Sequence, residues 1–139
     1  MPGRLRSKDT TPTVKREETV LLVEDEPSLL KMATSMLQRQ GHKVLAVDDG
    51  ARAIALCKSY QGAIDLLITD VVMPNMNAAE LAKTFHALRP QSRILYMSGY
   101  PDMGILDQGT VPAYFVFLEK PFTAAMLAAK VREALSLES

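Results

Sequence analysis

The sequence predicts an α/β fold, built on a doubly wound parallel sheet with helices on both faces. Four short apolar runs alternate with stretches of helical periodicity, and short runs that are buried on both faces are typical of parallel strands in βα units. Right-handed crossovers between such strands bury both faces of one sheet under helices. Polar side chains follow the four runs, where the strands are expected to end: Glu24 and Asp25, then Asp70, Ser98 and Lys120.

The first half of the chain is predicted to form two βα units. Their strands cover residues 19–23 and 43–47, which are rich in aliphatic side chains. Pro27 suits the first turn of a helix that ends at Gly41, and a second helix opens at residues 48–50. The side chains expected to face the sheet are Leu30, Ala33 and Leu37 from the first helix, and Ala53, Ile54 and Cys57 from the second.

The third unit has a long loop between its strand and its helix. The strand covers residues 65–69, and the loop covers residues 70–76. Asn77 is predicted to cap the next helix, with Glu80 three residues later as in a capping box. The helix is expected to stop at residues 89–90, because a residue before proline disfavours the helical conformation. Its predicted buried stripe is Leu81, Phe85 and Leu88.

The last third of the chain contains its least regular stretch. A fourth strand covers residues 93–97, and residues 99–112 then hold three glycines and two prolines. Any helix in that stretch is expected to be short, irregular or mobile. A fifth strand, at residues 113–118, leads through residues 120–121 into the last helix. The predicted buried face of that helix is Leu127, Val131 and Leu135.

Length, charge and composition limit the possible function classes. The 139 residues suffice for one domain, which we expect to span residues 19–138, and the polar, basic segment 1–18 is predicted to be a flexible tail or linker. Sixteen basic and sixteen acidic residues cancel, so nothing in the charge points to nucleic acid. No apolar stretch approaches membrane-spanning length, and the single cysteine, Cys57, fits a reducing compartment. We therefore expect a cytoplasmic domain without membrane contact.

The polar side chains at the strand ends form a chemically consistent set. In an open parallel sheet the functional crevice lies outside the carboxyl ends of the strands. Glu24 and Asp25 would repel each other there unless a cation lies between them, and Mg²⁺ accepts such oxygen ligands. Asp70 beside that cation can attack a phosphoryl donor, while Lys120 and Ser98 can donate to phosphate oxygens. The set predicts a divalent cation beside a phosphorylatable aspartate.

Four segments of the sequence carry a resemblance to a known family. In chain order, residues 23–26, 69–76, 97–100 and 119–122 resemble the motifs of receiver domains of two-component response regulators. The resemblance extends over residues 19–137 and is strongest to receivers attached to hybrid sensor histidine kinases, although a stand-alone regulator also fits. It implies the flavodoxin-like strand order 2-1-3-4-5. It also implies a cis peptide bond before Pro121, which proline tolerates.

The resemblance assigns the acceptor and the metal ligands. It implies that Asp70 is the phosphoacceptor, loaded from a phosphohistidine on a sensor histidine kinase or a histidine phosphotransfer protein. Asp25, Asp70 and the Val72 carbonyl are implied as direct Mg²⁺ ligands. Glu24 is implied as a ligand that acts through water.

The resemblance also assigns the residues that respond to the phosphoryl group. Ser98 matches the switch hydroxyl, Phe117 the switch aromatic, and Lys120 the phosphate-binding lysine. Phosphorylation is therefore expected to alter the face formed by the fourth predicted helix, the fifth strand and the last helix. Val72 and Tyr100 match the positions that govern the lifetime of the phosphoryl group, and neither is expected to promote its hydrolysis.

Two other function classes stay open at the level of sequence. A small Mg²⁺-dependent phosphatase would also use Asp70 and Lys120, but Val72 stands where such an enzyme needs a second aspartate as general acid. The other alternative is an interaction module that has the same fold but is not phosphorylated. The intact acid pair, acceptor aspartate, hydroxyl and lysine argue against it. His42 and His86 are isolated and lack metal-ligand spacing. We expect a monomer or weak dimer that is a signalling domain and not itself an enzyme.

Overall fold

The computed structural model of the protein describes residues 17–71, 78–99 and 116–136. Within those ranges five strands and four helices follow one another along the chain. Their bounds are β1 Thr19–Val23, α1 Pro27–Arg39, β2 Lys43–Val47, α2 Gly50–Ser59, β3 Leu66–Asp70, α3 Ala78–Leu88, β4 Arg93–Ser98, β5 Val116–Glu119 and α4 Ala124–Leu135.

All five strands are parallel, in the order β2-β1-β3-β4-β5. This confirms the predicted fold class and strand order. The register places Val23 opposite Thr69 and Asp70 opposite Met97. The strands therefore end at nearly the same level, and the residues that follow them share the carboxyl end of the sheet.

The sheet separates two hydrophobic clusters. Successive side chains of a strand point to opposite faces, so Leu21 and Leu67 pack with α2 and α3, whereas Leu22 and Ile68 pack with α1 and α4. The predicted inward residues that are buried are Ala33, Leu37, Ala53, Cys57, Leu81, Phe85, Leu127 and Val131. Complete burial of one large apolar side chain stabilises the fold by roughly 1.5–3 kcal/mol.

Polar side chains cap three of the helices and define where these helices begin. Glu26 caps α1 by accepting a hydrogen bond of 2.7 Å from the backbone N–H of Leu29, and Pro27 follows at the first helical position. Asp49 caps α2 through the N–H of Arg52, and Thr123 caps α4. These caps satisfy N–H groups that a helix leaves unpaired at its start, and they fix where each helix leaves the sheet.

Several predictions of detail are wrong. β3 begins at Leu66, not at residue 65, and includes Asp70, because the Asp65 carboxylate accepts a hydrogen bond from the backbone N–H of Thr19 (2.7 Å) just outside the strand. Leu88 is 40% exposed, because it is the last residue of α3 and lines an open groove of about 500 Å³. In α4 the third buried residue is Ala134, with the predicted Leu135 only partly buried.

Other predictions fall outside the described residues. These are the cap at Asn77, the first three residues of the fifth strand, the tail before residue 17 and the stretch from residue 100 to residue 115. Within the described residues, no helix is both long enough and apolar enough to cross a membrane.

The amino end of the sheet is tied together by one guanidinium. Arg89, directly after α3, donates to the carbonyl oxygens of Gly62 (2.7 Å), Tyr60 (2.8 Å) and Cys57 (3.0 Å). Two of these carbonyls lie at the end of α2 or just beyond it, where a helix leaves acceptors without intrahelical partners. Arg89 thereby joins the C-terminal ends of α2 and α3 beneath one face of the sheet.

Candidate functional site

Backbone hydrogen bonds carry the strand pairing one residue past the strand ends and so position the site. The N–H of Glu24 donates to the carbonyl of Val47 (3.2 Å), and the N–H of Lys120 donates to the carbonyl of Ser98 (2.8 Å). A third such bond joins Val71 N–H to the Met97 carbonyl (2.8 Å). The polar residues at the ends of β1, β3, β4 and β5 are therefore placed by the backbone of the sheet itself.

Three carboxylates converge at this end of the sheet. Oxygen atoms of Glu24, Asp25 and Asp70 all lie within 4.8 Å of one another. Glu24 and Asp70 are buried, whereas Asp25 is exposed. Carboxylate oxygens are the donors that hard divalent cations prefer, so this cluster can hold a metal ion. The structure thus brings together the three acidic residues that the sequence predicts.

Lys120 reaches between two of the three carboxylates. Its Nζ lies 2.6 Å from Asp70 Oδ2 and 2.9 Å from Glu24 Oε1. The sequence predicts that Lys120 donates to a phosphate oxygen, and neither of these two bonds to a carboxylate is part of that prediction. Glu24 completes its contacts by accepting from the backbone N–H of Glu26 through its other oxygen, at 3.0 Å.

Burial and charge act against each other on these groups. Burial is the largest influence on Glu24 and raises its pKa, and the negative charge of Asp70 adds to the rise, although the Glu26 N–H and Lys120 partly offset it. Burial lowers the pKa of Lys120, but its hydrogen bonds to Asp70 and Glu24 outweigh this and hold that pKa above its usual value. The site therefore favours a cation and disfavours a further negative charge.

Ser98 and Phe117 lie beside this cluster on neighbouring strands. Ser98 ends β4 and is buried, directly after the residue paired with Asp70. Phe117, in the middle of β5, is partly buried and packs against the cluster under α2 and α3. Of the remaining predicted site residues, Val72 and Tyr100 lie outside the described residues.

An apolar groove adjoins the charged cluster. Leu29 and Met32 of α1 line it from one side, and Pro121 and Phe122 line it from the other, and Lys120 is also part of its lining. Its volume is about 390 Å³, and Met32 is 42% exposed. The Lys120–Pro121 peptide bond beside it is cis, as the resemblance implied. No local pattern in the sequence indicates this groove, because its two walls are about 90 residues apart in the chain.

Comparisons with known proteins agree on one family. The sequence model of the response regulator receiver domain matches residues 20–132. The sensor kinase CckA of Brucella abortus is 33% identical over 117 residues, an alignment that covers 84% of this chain. A crystal structure of a response regulator receiver protein from Sinorhizobium medicae superposes with a TM-score of 0.76 at 36% identity, covering 86% of this chain and 95% of that one.

A second solved structure adds the link to hybrid kinases. The receiver domain of the hybrid histidine kinase CckA superposes with a TM-score of 0.70 at 30% identity, covering 85% of this chain and 99% of that domain. In contrast, the chain spans only 12% of the whole B. abortus sensor kinase. The similarity to the kinase is therefore a similarity to one of its domains.

Proposed function

The chain belongs to the response regulator receiver domain family, and on that premise we propose that it accepts a phosphoryl group from a phosphohistidine onto Asp70. One observation carries this proposal. The buried carboxylate of Asp70 lies within 4.8 Å of two other carboxylates and 2.6 Å from the Lys120 ammonium. Lys120 places a positive charge beside the nucleophilic oxygen, and the other two carboxylates can hold a cation that would neutralise the charge of the transferred group.

The proposed transfer exchanges one bond to phosphorus for another. An Asp70 oxygen attacks the phosphorus, the P–N bond to the donor imidazole breaks, and its electron pair stays on the imidazole nitrogen, which takes up a proton. Lys120 remains beside the new aspartyl phosphate and neutralises one of its oxygens. Mg²⁺, held by Asp25, Asp70 and the Val72 carbonyl with Glu24 acting through water, would supply charge neutralisation.

Ser98 and Phe117 are proposed to transmit the effect of phosphorylation from the site to the protein surface. Phosphorylation adds about two negative charges at the strand ends, and the Ser98 hydroxyl can donate to a phosphoryl oxygen. Its movement would free space for Phe117 and so alter the face that includes β5 and α4. The signal then leaves by contact with a partner or by onward transfer of the phosphoryl group.

The adjoining apolar groove supports a protein as the phosphoryl donor. An exposed methionine beside a charged site is an adaptable contact for an apolar side chain, and Met32 and Leu29 occupy that position. We propose a sensor histidine kinase or a histidine phosphotransfer protein as the partner, in the cytoplasm, with this chain acting as a monomer or weak dimer. The similarity to CckA makes a larger hybrid kinase the preferred setting.

Phosphorylation by a small donor tests the assignment directly. The full chain incubated with Mg²⁺ and acetyl phosphate should gain one phosphoryl group by intact mass. Asp70→Asn keeps the shape but removes the nucleophilic oxygen, so it should gain none. Asp48→Asn, an exposed aspartate near the start of α2, is the matched control and should behave as the wild type. A full-strength adduct on Asp70→Asn would contradict the proposal.

The lifetime of the adduct tests the remaining two residues. Hydrolysis needs a water in line with the phosphorus, and a polar neighbour can orient it. Valine at residue 72 offers no hydrogen bond, and the bulk of Tyr100 would shield the phosphoryl group. We therefore expect Val72→Asn and Tyr100→Glu to speed the loss of the adduct after the donor is removed, measured by intact mass over time. Unchanged decay in both variants would show that these side chains do not set the lifetime.

A further inference from the structure

A wide groove lies at the opposite end of the molecule from the acidic cluster. It runs between the start of β1, the turn after α1 and the last turns of α4, and its volume is about 1120 Å³. We call it the basal groove and define it by Glu17, Glu18, Gln40, His42, Arg132 and Glu133. Pockets for small ligands typically measure about 300–1,000 Å³, so a groove of this size suits a stretch of polypeptide.

The basal groove carries an excess of negative charge. Three of its side chains are carboxylates, on Glu17, Glu18 and Glu133, against the one guanidinium of Arg132. Glu18 contacts the ring of His42, with Oε1 3.5 Å from Nδ1. Lys130, outside the groove lining, lies 3.4 Å from Glu133. The groove therefore favours a cationic occupant.

One acceptor atom in the groove wall supports the same kind of occupant. Within the described residues, no hydrogen-bond partner is found for Gln40 Oε1, which is buried. The other end of the Gln40 amide is held, because Nε2 donates to the Ala124 carbonyl at 3.1 Å. A buried acceptor without a donor is costly. An incoming guanidinium or ammonium, which carries only donors, would relieve that cost after a small rotation of the Gln40 side chain.

The chain itself supplies a segment with this chemistry. Residues 1–16 contain five basic residues, Arg4, Arg6, Lys8, Lys15 and Arg16, against the single acidic Asp9. The segment joins the described structure at Glu17, which is part of the groove. Arg4 to Lys8 lie within thirteen residues of Glu17, and at about 3.3 Å for each extended residue that length exceeds what is needed to fold back.

We propose that the basic segment 1–16 binds in the basal groove of its own chain. Arginine and lysine side chains of the segment pair with the carboxylates of Glu18 and Glu133 and donate to Gln40 Oε1. The contact joins the segment that precedes β1 to the turn after α1 and to the end of α4. It is independent of the phosphoryl chemistry, since the groove shares no residue with the acidic cluster.

A spin label near the start of the chain tests the contact in the full-length protein. Cys57→Ala removes the native thiol, and Ser7→Cys then carries the label. At low salt, the amide signals of Gly41 and Ala129 should be broadened, while those of α3 on the other face should not. Glu18→Gln with Glu133→Gln should reduce this broadening on the order of 3- to 10-fold, since each exposed ion pair contributes modestly. Raised salt should have a similar effect.

Controls separate binding from tethering and from other occupants. Glu80→Gln removes an exposed charge from α3 and should leave the broadening unchanged. If the double variant and high salt both leave the broadening at Gly41 and Ala129 intact, proximity through the tether alone explains it and the proposal is wrong. A mixture of two proteins, one with the spin label and no isotope label and the other with the isotope label and no spin label, detects contacts between molecules. Broadening of equal strength in that mixture would show that the occupant is a second copy and would overturn binding within one chain.

Discussion

The two ends of the sheet solve the problem of buried polar groups in opposite ways. At the amino end, the guanidinium of Arg89 satisfies three carbonyl oxygens, and the Asp65 carboxylate is met by a backbone N–H. At the carboxyl end, three carboxylates converge, and the Lys120 ammonium contacts two of them, Glu24 and Asp70. Donors match acceptors around Arg89, whereas negative charge exceeds positive charge at the carboxyl end.

This difference separates stability from function along the strands. The part of the amino end around Arg89 gains nothing from a further ligand, because the carbonyl oxygens that Arg89 contacts and the Asp65 carboxylate already have partners. The carboxyl end holds carboxylates that repel one another, and one ammonium, that of Lys120, compensates them only in part, so an added cation can bind there. Under the proposed function, the carboxyl end binds a metal ion and a phosphoryl group, which requires polar groups that are not yet fully compensated, whereas the contacts of Arg89 stabilise the fold.

The largest effect is expected from removing the ammonium at the carboxyl end. Lys120→Met leaves Glu24 and Asp70 buried without their counterion. Loss of one partner of a buried pair costs about 3–5 kcal/mol, and because Lys120 is partly exposed we expect about 2–3 kcal/mol. Urea unfolding without metal measures this loss. Saturating Mg²⁺ should restore most of it, since the cation takes over the charge compensation. A variant as stable as the wild type without metal would contradict the counterion role of Lys120.

A smaller effect is expected at the amino end. Arg89→Ala removes the donors for three carbonyls, some of which water can reach, so we expect a loss of about 1–2 kcal/mol. Arg89→Lys can satisfy one carbonyl, so its stability should lie between those of the wild type and Arg89→Ala. Mg²⁺ should not rescue either variant, and the extent of Asp70 phosphorylation in the folded protein should not change. Recovery of Arg89→Ala stability on addition of Mg²⁺ would contradict the inference that the two ends act independently.

Neutralising a buried carboxylate, unlike the two changes above, should not lower the stability of the metal-free protein. Because the pKa of Glu24 is raised, the folded state holds its proton more tightly than the unfolded chain, so its contribution to stability falls as pH rises from about 4.5 through the raised pKa. Glu24→Gln should remove that fall and leave the metal-free protein at neutral pH unchanged or up to about 1 kcal/mol more stable. Its affinity for Mg²⁺ should drop about tenfold.

Urea unfolding at acidic and neutral pH, together with a Mg²⁺ titration, measures both effects. Glu80→Gln provides the control for a carboxylate on the exposed surface of α3. A Glu24→Gln protein whose stability without metal keeps the same pH dependence as the wild type would show that Glu24 does not cause it.

The smallest expected effect is on the pKa values of two tyrosine side chains. The nearby Lys43 lowers the pKa of Tyr60 at the amino end, whereas burial raises the pKa of Tyr96 in β4. In a titration followed by tyrosinate absorbance, Tyr60→Phe should therefore remove the earliest step, and Lys43→Met should delay it. Tyr96→Phe should leave that early step unchanged. An early step that survives Tyr60→Phe would contradict the assignment.

The carboxyl end was predictable from sequence because its signals are local. An apolar strand followed at once by a charged or hydroxyl residue marks a strand end, and parallel strands bring such ends together. Glu24, Asp25, Asp70, Ser98 and Lys120 were all found in this way. The fold class followed from the same alternation of strands and helices.

The contacts that pair one side chain with another were not predictable. Arg89 meets carbonyls 27 to 32 residues away, and Lys120 meets Glu24 across 96 residues. No spacing in the sequence encodes where a long side chain will point once helices and strands are packed. Leu88 shows the same limit, because its helical position matches the buried stripe but α3 ends where no neighbour covers it.

The backbone bonds that extend past the strands have a consequence for how this protein can vary. Neighbouring strands lie about 4.8 Å apart in any sheet, so the spacing between Glu24, Asp70 and Lys120 follows from peptide geometry and strand order. Substitutions on the outer helices can change which partner the surface accepts, while that spacing stays constant. The surface that recognises partners and the geometry of the site can then diverge at separate rates, and one receiver domain can be joined to many different neighbours.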